Sequence, residues 1–345
     1  MKKIFAIVFA TALISSAVAQ ESRISWGVGV ITEGQWNMTN GNGGWANRID
    51  ASFGVKLWKG GLFDIAGLAT YSVGTPVADD FQGFSNIDAE NRIRLVHAGL
   101  SQKLFDDKLT LFVGLRAADE DYFNTDLSGL FTGSSYGCFP VNGENHGIAV
   151  YPEAALGVHV EYTTNNWTFR ESVYNGAPSD RIDEQFRFCP GSDGIFNAGS
   201  VMYAKESKEG FAPTSYTLGY TYSSEEVDGD SRCTLWGNVE QPLFNIGRSR
   251  LNLLASGAAE LTKGAYCTGY WAAGLVAENI TSNGGQLGAA VNRVYFIDGN
   301  ETDIEVTFNC PIKWGLSIQP ALHIINTDGD TSVVGQLRLC YEFGQ

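Results

Sequence analysis

The sequence predicts an all-β fold: a closed transmembrane antiparallel β-barrel of sixteen strands, with long outer loops and short periplasmic turns. Three observations carry this expectation. They are an export signal at the N-terminus, a hydrophobic period of two in segments long enough to cross a bilayer, and connections that alternate between long and short. One miscounted hairpin would change the number to fourteen or eighteen.

The export signal comes first in the chain. Lys2 and Lys3 precede the apolar run Ile4 to Ile14, and Ala17-Val18-Ala19 offers small residues for cleavage. This pattern predicts a signal peptide over residues 1–19 and a single outer-membrane barrel domain over residues 20–345. The apolar run is too short to span a bilayer as a helix, and no later stretch approaches the ~18 to 20 apolar residues a membrane helix needs. Composition narrows the class further. Aromatic residues make up 12% of the chain, too many for a disordered acidic polymer. The 38 acidic and 23 basic side chains give a net charge of −15, or −17 once Lys2 and Lys3 are removed, which excludes nucleic acid as a partner. A mean hydropathy near zero does not argue against a membrane, because a barrel shows lipid only every second residue.

The period of two runs along the chain. Ile49, Ala51, Phe53, Val55 and Leu57 alternate with Arg48, Asp50, Ser52, Gly54 and Lys56. The same alternation recurs at Tyr216, Leu218, Tyr220 and Tyr222, at Ile304, Val306 and Phe308, and through the last two hairpin strands to Phe343. Segments of ~9 to 12 residues suit a tilted bilayer crossing better than a sandwich strand. The first seven connections, read from Thr32–Asn47 to Asn175–Gly194, span 16, 3, 18, 4, 34, 4 and 20 residues. That alternation fits short periplasmic turns and long outer loops, and it fades after Ser200.

Several stretches resemble a known family. Leu109 to Phe123 (LTLFVGLRAADEDYF), Leu130 to Gly137 (LFTGSSYG), Trp167 to Pro178 (WTFRESVYNGAP) and the closing hairpins are similar to the OprB-like carbohydrate-selective porins. The resemblance covers most of Ile49 to Phe343. It implies a sixteen-stranded outer-membrane porin that passes sugars down a gradient, with outer-membrane lipid and lipopolysaccharide around it. It leaves open whether the barrel assembles as a homo-oligomer. The chain departs from the family pattern at His97, Gly99 and Ser101, where Glu and Trp are usual. The competing reading is a non-conducting barrel that serves as an adhesin or structural anchor through its outer loops.

A sugar channel needs charged or amide groups to bond hydroxyls and aromatic planes to stack on a ring face. The strand phases place Asp50, Arg92, Arg94, Arg116, Arg170, Trp236, Asn238, Glu240 and Arg250 inward. The third outer loop opens with Asp119-Glu120-Asp121 and is expected to fold into the lumen. The constriction is therefore assigned to Arg92, Arg94, Arg116, Asp119, Asp121, Arg170, Trp236 and Glu240. Arg92, Arg94 and Arg116 are expected to gather on one wall facing the loop carboxylates.

Other chemistry has little support in the sequence. His97, His146, His159 and His323 show no nucleophile pairing on a shared strand face, so no catalytic residue is assigned. The sequence has no His-Glu-x-x-His or Cys-x-x-Cys, and Asp228-Gly-Asp230 and Asp328-Gly-Asp330 read as turns, so no metal or cofactor is assigned. Trp26, Trp36 and Trp45 fit an interfacial aromatic belt better than a sugar platform. Of six cysteines, Cys138 and Cys189 fall in long outer loops, and a disulfide between them is expected.

Overall fold

The computed structural model describes residues 23–344, apart from 146, 180, 208–209 and 225–230. The signal peptide, His146 and Asp228-Gly-Asp230 therefore lie outside the described residues. Sixteen strands form one closed antiparallel barrel in which each strand pairs with its sequence neighbours and the first pairs with the last. In order they are β1 (Ile24–Asn37), β2 (Gly43–Trp58), β3 (Gly61–Val73), β4 (Ile93–Leu104), β5 (Leu109–Arg116), β6 (Ala155–Thr164), β7 (Trp167–Asn175) and β8 (Ile195–Lys205). The second half comprises β9 (Thr214–Ser223), β10 (Arg232–Ile246), β11 (Ser249–Glu260), β12 (Cys267–Glu278), β13 (Gln286–Phe296), β14 (Asn300–Pro311), β15 (Leu316–Thr327) and β16 (Asp330–Gly344).

The apolar phase faces outward, the reverse of a soluble protein. Ile49, Phe53, Val113 and Leu218 are 43–68% exposed, whereas the polar phase of the same strands turns in. Trp36 and Trp45 stand on this outer face at the outer end of β1 and β2, the position of an aromatic belt. The first connection is shorter than expected, residues 38–42 only. The reason is that Gln35 and Trp36 continue the ladder opposite Gly44 and Gly43, so residues read as loop belong to strands.

Two outer loops turn inward instead of standing out in solvent. L3 (residues 117–154) carries Tyr122, Phe123, Leu127, Phe131, Tyr136 and Phe139, all 2% exposed or less. They pack inside the barrel on Tyr174, Phe196, Trp236, Leu254, Tyr270 and Val276. Burying each such side chain stabilises the arrangement by about 1.5–3 kcal/mol, ample to hold a loop against the wall. L2 (residues 74–92) lays Val77, Ala78 and Phe84 on Ile325 and Val334. The two loops are joined through Asn86 N–H to Thr132 C=O at 2.7 Å and Ser134 N–H to Gly83 C=O at 2.8 Å. On the periplasmic side, the β8–β9 turn also reaches inward. There Ala212 N–H donates to Glu278 at 2.9 Å, and the Arg250 guanidinium lies over Phe211 at 4.4 Å.

Candidate functional site: a charged cleft between loop L3 and one wall

With L3 and L2 laid against β7–β16, a cleft of about 380 Å³ lies inside the barrel, bounded by β1–β4 and the two loops. Its width comes from small residues. Gly27 and Gly29 on β1 lie opposite Ser52 and Asp50, and Ser52 lies opposite Ala66, so this wall projects little into the lumen.

Charged groups edge the cleft in pairs. Arg48 and Asp50 share the inward face of β2 two residues apart and meet at 2.8 Å. The Arg48 guanidinium also sits 4.8 Å from the centre of the Tyr151 ring. Tyr151 belongs to L3, donates its hydroxyl hydrogen to Ile87 C=O of L2 at 3.1 Å, and donates its backbone N–H to the Asp119 carboxylate at 3.3 Å. Burial pushes the Asp119 carboxyl up to about 7, with the neighbouring Glu120 charge adding to the shift and the Tyr151 N–H opposing it.

His97 closes one end. Its Nε2 is 3.1 Å from Asp64 on β3 and its Nδ1 is 3.0 Å from Glu120 on L3, so it bridges wall and loop. Each contact becomes an ion pair when the imidazole is protonated. Beside it, Arg116 makes a bidentate pair with Asp121, Nε to Oδ2 at 2.6 Å and Nη2 to Oδ1 at 2.5 Å. Burial would raise the Asp121 carboxyl, but Arg116 and the nearby His159 outweigh it and hold the group at about 2. Further down the wall Arg170 pairs with Glu161 at 2.7 Å.

The sequence-derived constriction set therefore divides. Arg116, Asp119, Asp121 and Arg170 lie in or beside this charged strip. Arg92 and Arg94 do not gather with Arg116. The β5 strand ends at Arg116, whose partner on β4 is His97, so the start of β4 runs on beyond it. Arg92 stays at the outer rim, 3.0 Å from Glu90, and Arg94 is buried against Glu90 C=O at 3.3 Å. Trp236 and Glu240 face inward as expected but lie beneath L3. Trp236 is 2% exposed and edges against Phe123 at 5.2 Å, and Glu240 accepts the Leu127 N–H at 2.7 Å. Both anchor the loop. Sequence reasoning missed Arg48 and Tyr151 as cleft groups and Asp64 as the partner of His97. The signal for Arg48 was its place beside Asp50 on the same wet face.

The expected disulfide is not formed, and Cys138 and Cys189 are both free thiols. L3 carries Cys138 into the barrel, where it lines the cleft opposite β1–β3. Cys189 stays exposed at the outer end of β7, where its N–H donates to Asn175 at 2.8 Å.

Among the described residues, Asp303, Glu305 and His323 offer donor atoms within 4.8 Å of one another that could meet a metal. Apart from Asp303 Oδ1, those atoms are already engaged. His323 lies 2.9 Å from Asp303 and 2.9 Å from the Thr132 hydroxyl, and Glu305 accepts from Thr132 N–H, Thr132 Oγ1–H and Gly133 N–H. The cluster fastens L3 to β14 and β15. Asp328 of the Asp-Gly-Asp turn likewise accepts the Asn300 N–H at 2.9 Å.

A lumen narrowed by an inward loop and edged with paired charges is the geometry of a selective pore. The family model for carbohydrate-selective porins of the OprB family matches residues 56–246. The chain belongs to this family. The porin shares its fold with Pseudomonas putida OprB: the high-pH structure superposes with a TM-score of 0.77 at 16% identity, covering 93% of this chain and 94% of that one. The low-pH structure of the same protein gives 0.64 at 14% identity, covering 93% and 92%. An anion-selective porin from Comamonas acidovorans gives 0.60 at 10% identity, covering 93% and 99%. No curated protein sequence matches the chain. The porin is thus an outer-membrane channel protein with a sixteen-stranded barrel.

Proposed function

We propose that this porin admits monosaccharides and small oligosaccharides by passive, facilitated diffusion, and that the solute passes through the cleft between L3 and the β1–β5 wall. The observation that carries this reading is the cleft lining. Arg48, Asp50, Asp119, Glu120 and His97 present donors and acceptors in a space equal to about a dozen waters, and Tyr151 adds an aromatic ring. A sugar exchanges bonds to water for bonds to these groups, most of them charge-assisted, so it crosses without being trapped. Of the residues assigned from sequence, Arg116, Asp119, Asp121 and Arg170 belong to this polar strip or support it. Export through a signal peptide over residues 1–19, leaving residues 20–345 as one barrel domain in contact with outer-membrane lipid, completes the reading.

Liposome swelling with purified porin and sugars of graded size tests it. Glucose should enter at a rate well above protein-free vesicles, and larger oligosaccharides should enter progressively more slowly. Background swelling with every monosaccharide would end the reading and favour a non-conducting barrel whose outer loops bind a partner.

A further inference from the structure

The two rims of the barrel differ sharply in charge. Among the described residues, the segments that join strands on the outer side contain 15 Asp or Glu against four Lys or Arg. Those on the periplasmic side contain three against four. L3 alone holds six acidic residues and neither Lys nor Arg. The asymmetry continues into the passage. Asp50, Asp88, Asp119 and Glu120 line the cleft, against Arg48 and His97. Asp88 and Asp119 bond uncharged donors, the Thr75 hydroxyl at 2.9 Å and the Tyr151 N–H at 3.3 Å. Arg116 offers no counterweight, because its guanidinium is taken up by Asp121. A solute approaching from outside therefore meets a negative vestibule and then a narrow slot that is still net negative. Low-dielectric walls focus such a field on anything inside.

We propose that the acidic outer vestibule and the cleft together act as a charge filter: neutral sugars and cations pass, and sugars that carry a carboxylate or phosphate are rejected. This rests on the sugar-channel reading above and narrows its substrate class. Asp88 and Asp119 are the residues that set the sign, since each adds a carboxylate to the slot without a guanidinium or ammonium bonded to it.

Two measurements on the full-length porin test the filter. In planar bilayers at pH 8 under a KCl gradient, the zero-current potential should show K⁺ preferred over Cl⁻ by roughly tenfold. In low-salt liposome swelling, glucosamine and glucose should enter and glucuronate should lag by roughly tenfold, with the gap closing as salt screens the lining. The combined variant Asp88→Asn and Asp119→Asn, which keeps side-chain shape, should lower the K⁺ preference several-fold and narrow the gap between glucuronate and glucosamine entry. Cl⁻ preference, absence of preference, or glucuronate entering as fast as glucose would overturn the filter. If ions conduct but glucose fails to enter, the sugar reading falls alone, and the zero-current potential still decides the filter: K⁺ preference upholds it and Cl⁻ preference ends it.

Discussion

The β1–β5 wall and the β7–β14 wall are built from the same alternating strands, yet their inward faces end in different environments. On β1–β3 the inward residues that border the cleft include Gly27, Gly29, Ser52, Ala66 and the Arg48–Asp50 pair. On β10–β14 they are Trp236, Glu240, Tyr270, Val276 and Glu305, sealed beneath L3 at 3% exposure or less. Strand phase decides whether a side chain points to lipid or to lumen. What decides between water and protein inside the lumen is where the loops come to rest. An apolar loop seeks the wall that offers aromatic and aliphatic partners, and the wall with small residues remains as the passage.

The comparison can be broken most severely at the hinge between the two walls, where L3 leaves β5. Arg116→Ala removes the guanidinium bonded bidentately to the buried Asp121 carboxylate, which costs about 3–5 kcal/mol when a buried pair loses one partner. The expected outcome is a lower thermal midpoint together with larger, noisier single-channel currents, because the start of L3 loses its clamp. The pair's contribution is complete above the ordinary carboxylate range, since Asp121 is held below it, and is lost as pH falls from about 4 toward 2. An unchanged midpoint would show that the loop is held elsewhere.

A smaller effect should come from Asp119. The groups facing its carboxyl are Arg48 from β2 and Glu120, Tyr151 and Cys138 from L3. Because burial raises this carboxyl to about 7, it gains charge between pH 6 and pH 8, and K⁺ preference should rise over that range. Asp119→Asn should flatten the pH dependence of the zero-current potential. The smallest effect belongs to the outer rim. Arg92→Ala should leave conductance, sugar entry and stability within error, since Arg92 lies outside the cleft and meets Glu90 in solvent.

Much of this molecule was legible in its sequence. The barrel, the strand number and the lipid-facing phase follow from alternation, because each strand obeys a local rule. The lumen side was only half legible. Arg116, Asp119 and Asp121 could be placed because they sit within five residues of one another at the strand-to-loop junction. Arg94 could not be placed, because the irregularity between Ala66 and Gly67 and the early end of β5 set its neighbours, and neither leaves a pattern in the chain. Trp236 and Glu240 were assigned to the correct face but the wrong environment, since nothing in their own strand reports that L3 covers them. The clue lay in L3 itself, where the run from Tyr122 to Phe139 is too aromatic to remain in water. The expected Cys138–Cys189 bridge failed for the same reason, because the loop carries Cys138 inward and leaves Cys189 at the rim.

The claim that solute follows the β1–β5 wall is tested most directly by thiol accessibility in single channels. In a Cys138→Ser, Cys189→Ser background, Ser52→Cys places a thiol on the bare wall and Asn238→Cys places one under L3, where Asn238 now donates to Phe123 C=O at 2.9 Å. A charged methanethiosulfonate reagent should cut the current of the Ser52→Cys channel, with glucose slowing the reaction, and should leave the Asn238→Cys channel unmodified. Block at Asn238→Cys with no effect at Ser52→Cys would place the passage on the opposite wall and contradict the account.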